Sequence, residues 1–318
     1  MRVGQWLLNG AKTALWLLLW IVPNQTEAWG FPMHRRINRA ACQAIPEPLG
    51  TFYRQHMAYL EMHATDADSR RYSVPDEACR HFIDADHYDQ SLPLDSLPLL
   101  MDSAVARFGD SFVRLHGIVP FQCQEHFYRL VWAFSQKNTE ALLRYSADLG
   151  HYAADANVPL HTHSNYNGQF TDQYGIHALW ETELPFYFAE SLDSIALFAE
   201  VIHDLPSYLH ARIETAHAAL TSVFAAETQA RLQVPAWAQF AFVWQGNRRK
   251  KMASWAMAEA YGKTQKSLLL AQYRASVETV ASLWYTAWVM AGEPAIVGQS
   301  DDGNESPSWT DEDWDHHP

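Results

Sequence analysis

The chain has 318 residues, 48% of them hydrophobic, and a formal net charge of −13. That length supports one large or two small domains with a sizeable core. The acidic balance excludes a general duplex-DNA binder, which needs a basic surface. Residues 300–318 hold seven acids and no Lys or Arg, so the body carries only about half of the excess. Cys42, Cys79 and Cys123 are odd in number and widely spaced, which excludes a disulfide framework and a CxxC metal site. One bridge among them is left open.

Residues 1–28 predict a cleavable secretory leader. Arg2 and Lys12 supply the positive region, and Thr13–Val22 the apolar run. That run is well short of the ~20 residues that span a bilayer. Thr26-Glu27-Ala28 approximates a small-x-small cleavage site, which would make Trp29 the mature N-terminus of a secreted or periplasmic protein. An uncleaved anchor is the alternative.

Beyond the leader the expectation is an all-α fold, a single multi-helical domain over 29–295. Helical spacing marks Arg35–Ile45, Glu47–Glu61, Ala104–His116, Gln124–Ser135 and Thr139–Ala156. Asp193–Asp204, Tyr208–Glu227, Trp237–Gln245 and residues 250–291 continue the pattern, with no useful strand run. Asp66–His81 and His161–Tyr174 are expected loops. Residues 296–318, acidic and rich in Gly, Ser and Asp, predict a disordered tail.

Several segments carry metal-ligand chemistry. His151 and Asp155 are four apart on one helix face, and so are His177 and Glu181. Pro159 ends the first of these helices, leaving His161 just past the break. Asp66 and His81 lie fifteen residues apart across a loop. Asp68 is two residues further on. A free α-amine on Trp29, with His34 five residues later, adds two nitrogen donors. Any one pair has a bland reading as a surface interaction or a satisfied core histidine. Nine potential ligands in one chain are harder to assign to chance.

In order and spacing these segments resemble the superfamily of zinc-dependent phospholipases C and single-strand-specific zinc nucleases. The resemblance covers Trp29 to Glu181. It implies a helical fold whose helices and loops hold three zinc ions. Trp29, His34 and Asp155 would hold one, and Asp66, His81, His151 and Asp155 a second, with Asp155 bridging. His161, His177 and Glu181 would hold the third. In His81-Phe-Ile-Asp84-Ala-Asp86, the resemblance places acids at the catalytic face. Asp86 would position or deprotonate water beside Asp66, and Asp84 would contact substrate or cap a helix.

The implied activity is metal-assisted hydrolysis of a phosphate ester, in which paired cations neutralise phosphate oxygens and acidify a water. Arg70 and Arg71 would clamp phosphate or form a solvated pair. Tyr166, Phe170 and Tyr174 would face a choline-like head group, stack on bases, or simply pack. Glu181 and the short His161–His177 loop, which lacks a Gly-Gly-Asn pattern, resemble the phospholipase branch. His34 and His81-Phe-Ile-Asp84 resemble the nuclease branch. The substrate is therefore phospholipid or single-stranded nucleic acid, with a transient membrane-surface contact left open and no stable protein partner inferred. A non-catalytic metal-binding protein would need fewer ligands. Gly109-Asp110-Ser111 lies in a helical pattern without the Gly-x-Ser-x-Gly elbow of a serine hydrolase.

Overall fold

The computed structural model describes residues 30–89, 91–192, 196–245 and 247–296. The predicted leader, Trp29 and residues 297–318 of the predicted tail lie outside them. The fold is all-α apart from one two-stranded hairpin. In chain order come α1 (Phe31–Ala44), α2 (Leu49–Gln55), α3 (Met57–His63), α4 (Asp66–Arg70), α5 (Met101–Phe108), α6 (Asp110–Leu115), α7 (Val119–Gln136) and α8 (Thr139–Asp155). Then follow α9 (Ile176–Ala178), α10 (Leu184–Tyr187), α11 (Ala189–Leu192), α12 (Leu205–Ala218), α13 (Leu220–Gln233), β1 (Phe240–Gln245), β2 (Arg248–Ala253) and α14 (Trp255–Met290). Among the described residues no helix is long and apolar enough to cross a membrane.

The core is a stack of α1, α7, α8 and α14. The C-terminal half of α14 buries Val277, Val280, Leu283, Trp284 and Ala287. A helix apolar on most of its circumference belongs inside. Trp284 stacks on Tyr53 at 4.7 Å and donates its indole N–H to the Ser146 carbonyl. Helix α8 is nearly all buried from Ala141 to Asp155, and it carries His151 and Asp155 into the middle of the molecule. Its N-cap is Asn138, whose side chain accepts from Ala141 N.

Helices α1 and α8 cross closely at Gly150. A Cβ there would lie 2.2 Å from Asn38 Oδ1. Asn38 cannot easily give way, because it is fully buried and donates to the carbonyls of Leu60 and Ala147. Gly150→Ala is therefore expected to destabilise the fold by about 1–3 kcal/mol. A thermal melt reads this, and an unchanged melting temperature would mean the crossing is looser than it looks.

Several expectations needed correction. Glu47–Glu61 breaks at His56, Ala104–His116 at Gly109 (φ +86°) and Tyr208–Glu227 at Ala219. The expected 66–81 loop opens with the short helix α4. Where Asp193–Asp204 predicted a helix, residues 196–204 form an extended strap. Side chains of α14 satisfy its backbone, with Ser282 Oγ accepting from Glu200 N and Thr286 Oγ1 from Ile202 N. Trp237–Gln245 is not a helix either, because Phe240–Gln245 pairs antiparallel with Arg248–Ala253. All three cysteines are buried free thiols, so the bridge left open does not form.

Candidate metal centre

The predicted ligands sit on separate short elements around α8. His34 is on α1, His81 ends a 3-10 turn (Ala78–His81), and His161 lies on a second such turn (Pro159–Thr162) after the Pro159 break. His177 is on α9, and Glu181 lies in a π-helical turn, Leu179–Glu183. Pro185 explains that turn. It has no N–H for the Glu181 carbonyl, so the ladder widens and Leu184 N bonds Leu179 O instead.

These side chains form three buried groups whose ligand atoms lie within 4.8 Å of one another: His34, Asp68 and His151; His81, His151 and Asp155; His161, His177 and Glu181. Asp155 joins them. Its Oδ1 is 3.3 Å from His34 Nε2 and 3.6 Å from His161 Nδ1, and its Oδ2 is 3.0 Å from His81 Nδ1 and 3.3 Å from His151 Nε2. His161 Nε2 and His177 Nε2 are 3.0 Å apart, with Glu181 Oε2 at 3.4 and 2.9 Å from them.

The donor set fits metal ions. His151 Nδ1 donates to the Ala64 carbonyl at 2.8 Å, and His161 Nδ1 to the His81 carbonyl at 2.6 Å. Those bonds fix the tautomer and leave each Nε2 lone pair facing the cluster. Both ring nitrogens of His34, Asp68 Oδ2, Asp155 Oδ1 and both Glu181 oxygens are buried without a hydrogen-bond partner. Buried polar atoms are costly when unpaired, so this density of them marks a place for cations.

Charge in the metal-free cluster is finely opposed. Burial pushes the Asp155 carboxyl up, but His151, His161 and His34 outweigh it and hold it well below the carboxylate range. Burial pulls His151 down, yet Asp155 and Asp68 push it up to about 9. Burial raises Glu181 to about 8. Burial and then the Arg71 guanidinium lower His177 to about 3.

Asp66 is not in the cluster. Its side chain is half exposed and pairs with His63 Nδ1 at 2.7 Å, one turn back on the surface. Asp68 takes the place expected of it. It is buried, with Oδ1 3.8 Å from both His81 Nδ1 and His151 Nε2. On α4, positions two apart face different ways, so choosing the wrong aspartate selects the solvent side.

Arg70 does not reach out to a substrate either. It turns inward to Asp148 (2.9 Å), Glu77 (3.6 Å) and the Tyr152 hydroxyl (3.3 Å). Arg71 is the one beside the candidate ligands, 3.3 Å from Asp68 Oδ1. Glu77 went unnoticed in the sequence. Fully buried, it accepts from Arg80 and the Tyr152 hydroxyl and lies 3.7 Å from His81 Nε2. Its spacing to His81 is the same i, i+4 signal that singled out His177 and Glu181.

Asp86 accepts from the Ser164 amide (2.9 Å) and hydroxyl (2.6 Å), which pins the loop after His161. Burial raises its carboxyl, but those two bonds and His163 bring it below the ordinary value. Asp84 does not cap a helix with its side chain. It lies 3.3 Å from His116 Nδ1, and burial, then Asp86, push it up to about 7. Asp84, His87 and His116 form a fourth group, but unlike the other three it is not buried: His87 is exposed and its imidazole stacks on His116 at 3.8 Å. Tyr166 meets His177 edge-on at 5.6 Å, and Tyr166, Phe170 and Tyr174 are all exposed on this loop.

No protein-family model matches the chain, and no curated protein matches it. Among solved structures it is similar to the alpha-toxin of Clostridium perfringens from avian strain SWCP, with a TM-score of 0.45 and 14% identity over 88% of this chain and 67% of the toxin. Neither the helical architecture nor the metal reading rests on that likeness. What the chain itself establishes is an all-α fold with buried His, Asp and Glu clusters that could hold metal ions.

Proposed function

We propose that the protein is a zinc-dependent phosphoric ester hydrolase of the phospholipase C type, whose clusters hold three zinc ions. The observation that carries this reading is Asp155, a fully buried carboxylate within 3.6 Å of four histidines that belong to all three clusters. A structural zinc site has its positions filled by protein ligands, whereas closely spaced cation sites that share a carboxylate suit hydrolysis. His34, Asp68, His81, His151 and Asp155 would hold two of the ions, completed by the Trp29 amine, and His161, His177 and Glu181 the third. Gly30 packs against Thr182, the neighbour of Glu181, which brings the start of the described chain to the cluster.

Zinc bound here would supply positive charge to phosphate oxygens and a more acidic water. The chain's own residues do the rest. Asp84, poised near neutrality by burial, suits proton transfer. Asp86 holds the Ser164 loop in place. Arg71, beside Asp68, contributes a fixed cation for an anionic ester. The Ala64 and His81 carbonyls orient the imidazoles of His151 and His161.

Glu181 and the short loop before His177 favour lipid over nucleic acid. The test offers zinc-loaded protein beginning at Trp29 both monomeric short-chain phosphatidylcholine and single-stranded DNA. Phosphocholine release without DNA cleavage is expected. DNA cleavage alone would replace the substrate with single-stranded nucleic acid, the reading favoured by His81-Phe-Ile-Asp84. Neither activity would overturn the hydrolase.

A further inference from the structure

The hairpin β1–β2 is unlike the rest of the molecule. From Thr228 to Ala258 the chain has no Asp or Glu, and four basic residues follow one another at Arg248, Arg249, Lys250 and Lys251. In a chain of net charge −13 this is a concentrated cationic patch. Alternation on β1 puts Phe240, Phe242 and Trp244 on one face, and the register places Lys251 and Arg249 on that face opposite Phe242 and Trp244. The Arg249 guanidinium lies 3.9 Å from the Phe242 ring centre, and the Lys251 ammonium 3.7 Å from that of Phe240. None of these rings is covered: Phe242 is 58% exposed and Trp244, near the turn, 74%.

We propose that this hairpin docks the protein on an anionic lipid surface; the proposal deepens the phospholipase reading and rests on it for its biological sense. Aromatic side chains with a polar or cationic neighbour settle at the membrane interface, where arginine and lysine meet lipid phosphates. Shape decides between lipid and single-stranded nucleic acid. A base-stacking platform is apolar on one face, but here Val243, on the opposite face of β1, is exposed as well. The end of the hairpin is thus a wedge, suited to insertion among head groups.

The hairpin is also tied to the metal centre. Ala253 N donates to Glu183 Oε2 at 2.6 Å, and the Tyr187 hydroxyl donates to the Ala253 carbonyl at 2.9 Å. Glu183 lies in the same π-helical turn as Glu181. A cleft of about 370 Å³ runs between the hairpin and that turn, lined by Phe240, Lys251, Met257, Tyr174, Leu179 and Glu183. A surface engaged by Trp244 would therefore sit beside the loop that carries Tyr166 and Tyr174.

The experiment is co-sedimentation of metal-loaded protein, on ice, with vesicles of phosphatidylcholine alone or mixed with phosphatidylglycerol. Wild type is expected to prefer the mixed vesicles and to be released by salt. Changing Arg249→Gln and Lys251→Gln together should weaken that partition roughly 25-fold, about fivefold per cation. Trp244→Ala should weaken it independently. Both variants should hydrolyse monomeric short-chain phosphatidylcholine as wild type does. Wild type that ignores mixed vesicles, or variants that bind them as wild type does, would overturn the proposal. So would tight binding of a single-stranded oligonucleotide, without vesicle binding, that the same substitutions abolish. Vesicle binding with no lipid hydrolysis would sustain the docking surface and sink the phospholipase reading. Hydrolysis of monomeric lipid without vesicle binding would do the reverse.

Discussion

Replacing Asp155 with Asn is expected to abolish both metal retention and hydrolysis, with activity falling by about a thousandfold or more. Its carboxylate is the group shared by His34, His81, His151 and His161. Loss of the few kcal/mol of charge stabilisation that clustered cations supply corresponds to that factor. The metal-free protein should suffer too. Breaking a buried charge pair by removing one partner costs about 3–5 kcal/mol, and here the protonated His151 would lose its main counter-charge.

Two further substitutions sharpen the result. Asp68→Asn should also lose metal, because Asp68 is buried between His81 and His151. Asp66→Asn should cost less than about 1 kcal/mol and leave metal content alone, since it breaks only an exposed pair with His63. Elemental analysis with an activity assay reads all three. Full metal content in Asp155→Asn would refute the shared-carboxylate reading.

The second large effect is in pH. Glu181, raised by burial from 4.5 to about 8, keeps its proton on folding across that interval. His151, which Asp155 and Asp68 lift against burial from 6.5 to about 9, gains one across its own. Between pH 6.5 and 8 the folded metal-free chain therefore binds more protons than the unfolded chain, and stability must fall as pH rises. Each group contributes about 1.4 kcal/mol per pH unit. His177, lowered by burial to about 3, works in the opposite direction but only up to 6.5. Metal reverses the trend, because its ligands must lose their protons to bind.

Thermal melts in chelator should thus show a lower melting temperature at pH 8 than at pH 6.5. Melts with excess zinc should show added stabilisation that grows with pH. Glu181→Gln should raise the metal-free melting temperature at pH 8 while abolishing metal uptake at the third cluster. A variant that is both more stable and inactive is the expected sign of a functional site. A metal-free melting temperature that does not move between pH 6.5 and 8 would contradict this electrostatic account.

The long helices were legible because their periodicity and their burial agree. Helix α8 shows both, and so its His151 and Asp155 were placed correctly from spacing alone. The same holds for His177 and Glu181, although the π-helical turn between them depends on Pro185, a breaker whose effect on the preceding ladder is not read from apolar spacing. Asp66 failed because separation from His81 along the chain says nothing about which way a five-residue helix points. His63, one turn earlier, was the available sign that Asp66 has a surface partner. Arg70 failed for a related reason: its inward partners Asp148 and Glu77 are brought to it only by tertiary packing.

The hairpin was missed although Phe240-Ala-Phe242-Val-Trp244 alternates and the dipeptide Gly246-Asn247 that follows has a turn composition. Its alanines and the helical stretches on either side drew it into a helical reading. The strap at 196–204 had no comparable signal, because the hydroxyls of Ser282 and Thr286 that satisfy its backbone lie more than eighty residues away.

The central claim is that these clusters hold metal, and metal content tests it most directly. Protein beginning at Trp29, purified, equilibrated with zinc and freed of excess ion, is measured by elemental analysis before and after dialysis against a chelator. Three zinc ions per chain, lost together with activity on chelation and restored together on readdition, is the result expected here. Less than one ion per chain in a folded protein that still hydrolyses phosphate esters would contradict it.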